Sequence, residues 1–212
     1  MSENFEVKLM HNNTLKHAKI LYFDKEHDKD FLAKWEKSLD KNFTLHPAER
    51  DAVEFAESAY MRWKAYKNRD NYAYSIQDIK DFIKDNPNAE VANFVLLKWD
   101  LEVPSSVLGL CHFRRTWCNN LIIDYLVVHP TIAKPDRITI KGVGTSLLYY
   151  IAKVSTEIDV KYIWGEATQN SYTFYNKLFE INSIRDLILV KKRKYITFFN
   201  TISEKYQERK ER

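Results

Sequence analysis

The chain has 4 glycines in 212 residues, and two of them stand one residue apart in Lys141-Gly142-Val143-Gly144-Thr145-Ser146. Average usage is about 7%, so turns elsewhere are made without glycine and this pair marks a place that needs it. The residues that follow read as a helix with Leu147, Leu148, Ile151 and Val154 on one face. The first amides of a helix have no intrahelical acceptor, and glycine leaves the backbone bare, so the corner suits an anionic phosphate. A tight turn that needs one positive φ is the plainer account. Two common nucleotide patterns are absent: no Gly-Lys-Ser/Thr ending follows, and Leu147 occupies the last glycine position of Gly-x-Gly-x-x-Gly.

Two carboxylates fall in otherwise apolar strands, Asp124 in Leu121 to Val128 and Glu166 at the end of Tyr162 to Glu166. Burial would raise either pKa toward that of a general base; hydrogen-bonded structure or a solvent-facing position are the alternatives. His46, His112 and His129 share no element at metal-ligand spacing, and Cys111 and Cys118 have no second pair, so no metal is expected and both thiols read as reduced. Lys191-Lys192-Arg193-Lys194 reads as a solvated hairpin turn rather than a phosphate patch. A net charge of +4, from 33 basic and 29 acidic residues, is too weak to point to nucleic acid, which is not an expected partner, and mildly favours an anionic small molecule.

Four pieces occur in a specific order. They are Leu126-Val127-Val128-His129-Pro130, the glycine corner running on to Leu148, Tyr162-Ile163-Trp164-Gly165-Glu166 followed by Ala167 to Ser171, and Phe174-Tyr175-Asn176-Lys177-Leu178. Over about Phe94 to Phe199 this order resembles the GNAT superfamily of acetyl-CoA-dependent N-acyltransferases. The resemblance implies that the backbone of Leu126, Val127 and Val128 pairs with the pantetheine arm of acetyl-CoA. The amides of Lys141, Gly142, Val143, Gly144 and Thr145 would hold the pyrophosphate, and Asn170 would meet the pantetheine. It also implies that the thioester lies where two strands splay apart, with Tyr175 protonating the departing thiolate. Three positions depart from the family pattern: Thr139 replaces the usual Arg or Gln, so pyrophosphate binding leans on Lys141 or Arg137; the loop 131–141 is long; and Phe179 replaces a glycine.

The elements that must position these residues belong to one α/β domain: a mixed, mainly antiparallel sheet flanked by helices, with an enlarged helical N-terminal region. Residues 1–90 read as a helix-rich, acceptor-side part, 91–201 as the acetyl-CoA-binding core, and 202–212 as a charged tail. In the first part, one strand (His17 to Phe23) precedes three helices: one after Asp24 or Asp28, one entered at Pro47 with Val53, Ala56, Tyr60 and Trp63 inward, and one from Ser75 to Asn86. Phe94 to Trp99 and Val107 to Phe113 read as an antiparallel pair. Leu121 to Val128, the glycine-corner helix and Tyr162 to Glu166 form a right-handed crossover between parallel strands. A short helix spans Ser171 to Leu178, and Leu187 to Val190 and Tyr195 to Phe199 read as a final hairpin.

Hydrophobic residues at 45% and charged residues at 29% fit a folded globular chain rather than a disordered one. No apolar run approaches the ~18 residues of a membrane helix, and Glu3, Glu6 and Lys8 interrupt the start, so a cleavable signal is not expected and a cytoplasmic location is. The function these readings predict is transfer of an acetyl group from acetyl-CoA to a primary amine, by direct attack in a ternary complex. The alternative is a non-catalytic acyl-CoA-binding module that regulates or scaffolds a partner. A homodimer is left open.

Overall fold

Asn12 and Asn13, with φ of 47° and 61°, turn the chain back between β1 (Phe5–His11) and β2 (Thr14–Tyr22). Two successive positive φ angles match the right-handed twist of a two-residue hairpin. This hairpin corrects the sequence reading, which placed only His17 to Phe23 in a strand. In β1 only Val7 and Leu9 are buried, so its inward face is two side chains long and easily missed.

The computed structural model describes residues 4–23, 30–39, 46–101, 104–133 and 140–208. Six further strands, β3 (Val91–Trp99), β4 (Val107–Arg115), β5 (Leu121–Val128), β6 (Ile140–Lys141), β7 (Tyr162–Glu166) and β8 (Leu187–Lys191), complete one sheet. Its order is β6-β1-β2-β3-β4-β5-β7-β8, and all pairs are antiparallel except β5 with β7. The architecture is therefore the anticipated mixed, mainly antiparallel sheet flanked by helices. Arg137, Thr139 and most of the long loop lie outside the described residues, whose ends here are α4 (Pro130–Ala133) and β6.

Alternate residues of the central strands enter two cores. Val95, Leu97, Cys111, Phe113 and Ile123 face α5 (Val143–Glu157), while Phe94, Leu96, Leu110 and Val127 face α1 (Asp30–Lys37) and α2 (Pro47–Tyr66). Entry to α2 is set locally: Ala48 N–H bonds to His46 Nδ1 at 3.2 Å, Glu49 Oε2 accepts from His46 N–H at 2.9 Å, and Pro47 occupies the first turn, where its missing N–H does no harm. Ser75 caps α3 (Ile76–Asp85) by accepting from Asp78 N–H at 2.9 Å.

After α6 (Tyr172–Phe179) and β8, the expected hairpin is replaced by α7 (Lys192–Glu208). Tyr195 to Phe199 is rich in residues that favour strands, yet Tyr195, Phe198 and Ile202 recur at helical spacing and enter the core. Tyr195 is fully buried and donates to the Val160 carbonyl at 2.7 Å, and Phe198 packs edge-on against Phe179. Lys192, Arg193 and Lys194 are thus the first turn of a helix, with Lys192 paired to Asp159. Ser203 to Glu208, read as part of a charged tail, continue that helix.

Candidate active site

The site begins where two parallel strands stop pairing. β5 and β7 are joined through three residue pairs only, Leu121 with Ile163, Ile122 with Trp164 and Ile123 with Gly165. On the other side of β5, Phe113 faces Ile123 and His112 faces Tyr125, which leaves Asp124 as the extra residue of a β-bulge. A bulge bends its strand, and from this point β5 follows β4 away from β7. The gap forms part of a cleft of about 910 Å³, lined also by α2, the start of α5 and α6.

Main-chain direction along the lip follows from one hydrogen bond. His129 N–H donates to the Leu108 carbonyl at 2.9 Å, so by the alternation of an antiparallel ladder Val127 also directs its peptide groups toward β4. The peptide groups of Leu126 and Val128 then point into the gap. All three residues line the cleft.

Gly142 precedes α5 with φ of 98°, a left-handed conformation that favours glycine. The first helical bond runs from Ser146 N–H to the Gly142 carbonyl at 2.8 Å, so the amides of Val143, Gly144 and Thr145 have no acceptor within the helix. Gly144 borders the cleft, where a Cβ would stand 3.1 Å from the Phe174 ring. Lys141 is exposed on β6, Val143 is buried beneath the corner, and neither lines the cleft; nor do Gly142 and Thr145.

Tyr175 lines the far wall from α6, with its ring buried and edge-on to Phe174. Burial pushes its phenol well above the ordinary value, with the Cys111 thiol adding to the shift, so the hydroxyl holds its proton at neutral pH. Cys111 and Cys118 are both free thiols. Glu166 ends β7 at the rim and is exposed, not buried. Asn170, also exposed, places Nδ2 3.5 Å from Asp51 Oδ2 across the mouth of the cleft.

Asp124 reverses its expectation. Arg114 grips the carboxylate through Nε at 2.7 Å and Nη2 at 2.8 Å, and His112 Nδ1 lies 3.0 Å from Oδ2. Burial opposes the charge, but these partners outweigh it and hold the acid at about 2. A carboxylate so held is a weak base. Sequence reasoning missed this cluster, which also includes Arg62, Glu90 and Tyr66. Its trace was present in Cys111-His112-Phe113-Arg114, where alternate residues are polar and so share one face of the strand. Among the described residues no group of three or more His, Cys, Asp or Glu could hold a metal ion, and no helix is long and apolar enough to cross a membrane.

No protein-family model and no curated protein matches the sequence. Solved structures do match. A mutant of the toxin AtaT, bound to acetyl-CoA and to the C-terminus of the antitoxin AtaR, is similar with a TM-score of 0.48 and 11% identity, over 86% of this chain and 98% of that one. An acetyltransferase of the GNAT family from Staphylococcus aureus Mu50 is similar with a TM-score of 0.43 and 11% identity, over 82% of this chain and 99% of that one. An acetyltransferase from Streptococcus agalactiae 2603 is similar with a TM-score of 0.39 and 12% identity, over 81% of this chain and 97% of that one.

Proposed function

We propose that this protein is an N-acetyltransferase that moves the acetyl group of acetyl-CoA to a primary amine by direct attack in a ternary complex. The observation that carries this reading is the parting of β5 from β7 after the Ile123 and Gly165 pair, with the peptide groups of Leu126 and Val128 turned into the gap on one lip and Tyr175 on the opposite wall.

Bound acetyl-CoA supplies a thioester carbonyl for the amine to attack. Leu126 and Val128 offer N–H and C=O groups to the pantetheine amides as an added strand would. The amides of Val143, Gly144 and Thr145, which have no acceptor within the helix, receive the pyrophosphate, with Lys141 adding charge at the corner. Asn170 borders the same arm. A main-chain N–H at the parting steadies the carbonyl oxygen as charge develops on it. As the C–N bond forms and the C–S bond breaks, Tyr175 gives its proton to the thiolate. Glu166 takes the proton released by the amine, directly or through water. Asp124 serves instead to fix Arg114 and His112 at the bulge.

The test is release of free thiol from acetyl-CoA against a panel of primary amines, with CoA binding followed separately by thermal melting. Amine-dependent thiol release is expected. Binding of CoA without release for any amine would overturn the catalytic reading in favour of an acyl-CoA-binding module.

A further inference from the structure

Three arginines on or beside the bulge differ sharply in how their donors are used. Arg115 spends its fork on the Asn119 side chain at 3.1 Å and on the Ala89 and Pro87 carbonyls, each at 2.7 Å. Arg114 bonds Asp124 twice and Glu90 once, the last at 3.0 Å. Arg62 reaches the cleft from α2, and its guanidinium makes no hydrogen bond to a described residue. Among the described residues its one ionic contact is Nη2 at 3.4 Å from Asp124 Oδ1 and its buried Nε–H has no acceptor, while its side chain is 33% exposed. Asp124 already receives Arg114 and His112, so it does not saturate a second guanidinium.

A guanidinium with open donors is shaped for two oxygens of a carboxylate or phosphate. Arg62 lines the same cleft as Asp51 and Glu166, two carboxylates that suit an ammonium group. The lining therefore asks for a molecule whose positive and negative groups are separated. We propose that Arg62 is a specificity-determining residue that receives an anionic group, a carboxylate or a phosphate, carried by the amine acceptor; this rests on the acetyl-transfer reading above. α2 supplies the recognition: its cleft-facing positions run from Asp51 through Phe55 to Arg62, so the substituent lies along the helix while the amine enters the gap between β5 and β7.

The experiment measures binding apart from turnover. In the presence of CoA, the protein is titrated with ω-amino carboxylates, ω-aminoalkyl phosphates and ω-amino alcohols of matched chain lengths. At least one anionic series should bind about tenfold or more tightly than the alcohols, the scale of a charged hydrogen bond, and the two anionic arms tell carboxylate from phosphate. Arg62→Gln should abolish the preference and Arg62→Lys should keep part of it. CoA affinity should be unchanged in both, since Arg114 and His112 still hold Asp124. Equal binding of alcohols and anions, failure of every anionic series to bind, survival of the preference in Arg62→Gln, or a loss of CoA affinity in its place would overturn the proposal. An Arg62-dependent anion preference without turnover of any amine would leave the anion site standing and remove acetyl transfer.

Discussion

A Cβ built on Gly165 would stand 2.7 Å from the carbonyl oxygen of Ile123, its partner in the last parallel pair. Backbone touches backbone at the point where the cleft opens, and no flexible side chain is available to yield. Gly165→Ala should force the strands apart, lower stability by about 1–3 kcal/mol, and weaken the rise in melting temperature that CoA confers. Chemical denaturation and CoA-dependent melting check this; unaltered values in both would show that the two strands can separate freely.

Tyr175 is held protonated by burial, and its raised pKa keeps the acid form available across the neutral range. Tyr175→Phe should leave CoA binding intact and reduce turnover by roughly 10²–10⁴-fold. The pH–rate profile of the parent should show no limb from tyrosine ionisation near neutrality. Full activity in the variant at saturating acetyl-CoA would move proton donation to another group.

The two corner glycines should fail differently. Gly142 has φ of 98° and a roomy Cβ position, so Gly142→Ala acts through backbone strain, about 1–2 kcal/mol of stability, and the folded variant still gains stability from CoA. Gly144→Val meets the Phe174 ring and enters the cleft, so CoA should no longer raise its melting temperature. Melting curves of both variants with and without CoA separate the effects.

Acid should destabilise the protein in two windows. Burial lowers the His129 pKa to about 4 and also lowers that of His112, so between the ordinary histidine value of 6.5 and lower pH the unfolded chain binds more protons and stability falls as pH drops. Asp124 is held at about 2, below the carboxylate value of 3.8, so its contribution is full above that value and is lost as pH falls toward 2. Stability measured by denaturant across this range should show both declines. Asp124→Asn should be less stable at neutral pH, because Arg114 loses its main partner, and should show a smaller lower decline.

Sequence motifs made the walls of the cleft legible, but not its opening. The glycine corner, the end of β5 and the Phe174-Tyr175 step are local patterns, and each lies on the element expected of it. The bulge at Asp124 was invisible because it depends on the register between β4 and β5, a non-local quantity. The sequence leaves Asp124 open between burial, hydrogen-bonded structure and a solvent-facing position, because its charge state is decided by Arg114 and His112 from the neighbouring strand. In α7, aromatic and β-branched side chains argued for a strand, and packing against α5 and α6 prevailed over that preference.

The last helix has a bearing on the order in which the protein assembles. Phe199 stacks on Tyr149 at 5.1 Å, Ser203 lies 2.9 Å from the Tyr149 hydroxyl, and Tyr206 reaches both Ser146 of α5 and the Lys8 carbonyl of β1. The side of α5 turned away from the sheet is therefore finished by residues made some fifty positions later, and Tyr206 among them also touches β1. Contacts between distant parts of a chain form slowly, so the helix bearing the proposed pyrophosphate amides keeps a bare apolar side until residues 199–206 have been made and have docked. Docking of the last helix is thus a late step, and a chain stopped before residue 199 would leave Tyr149 and that side of α5 uncovered.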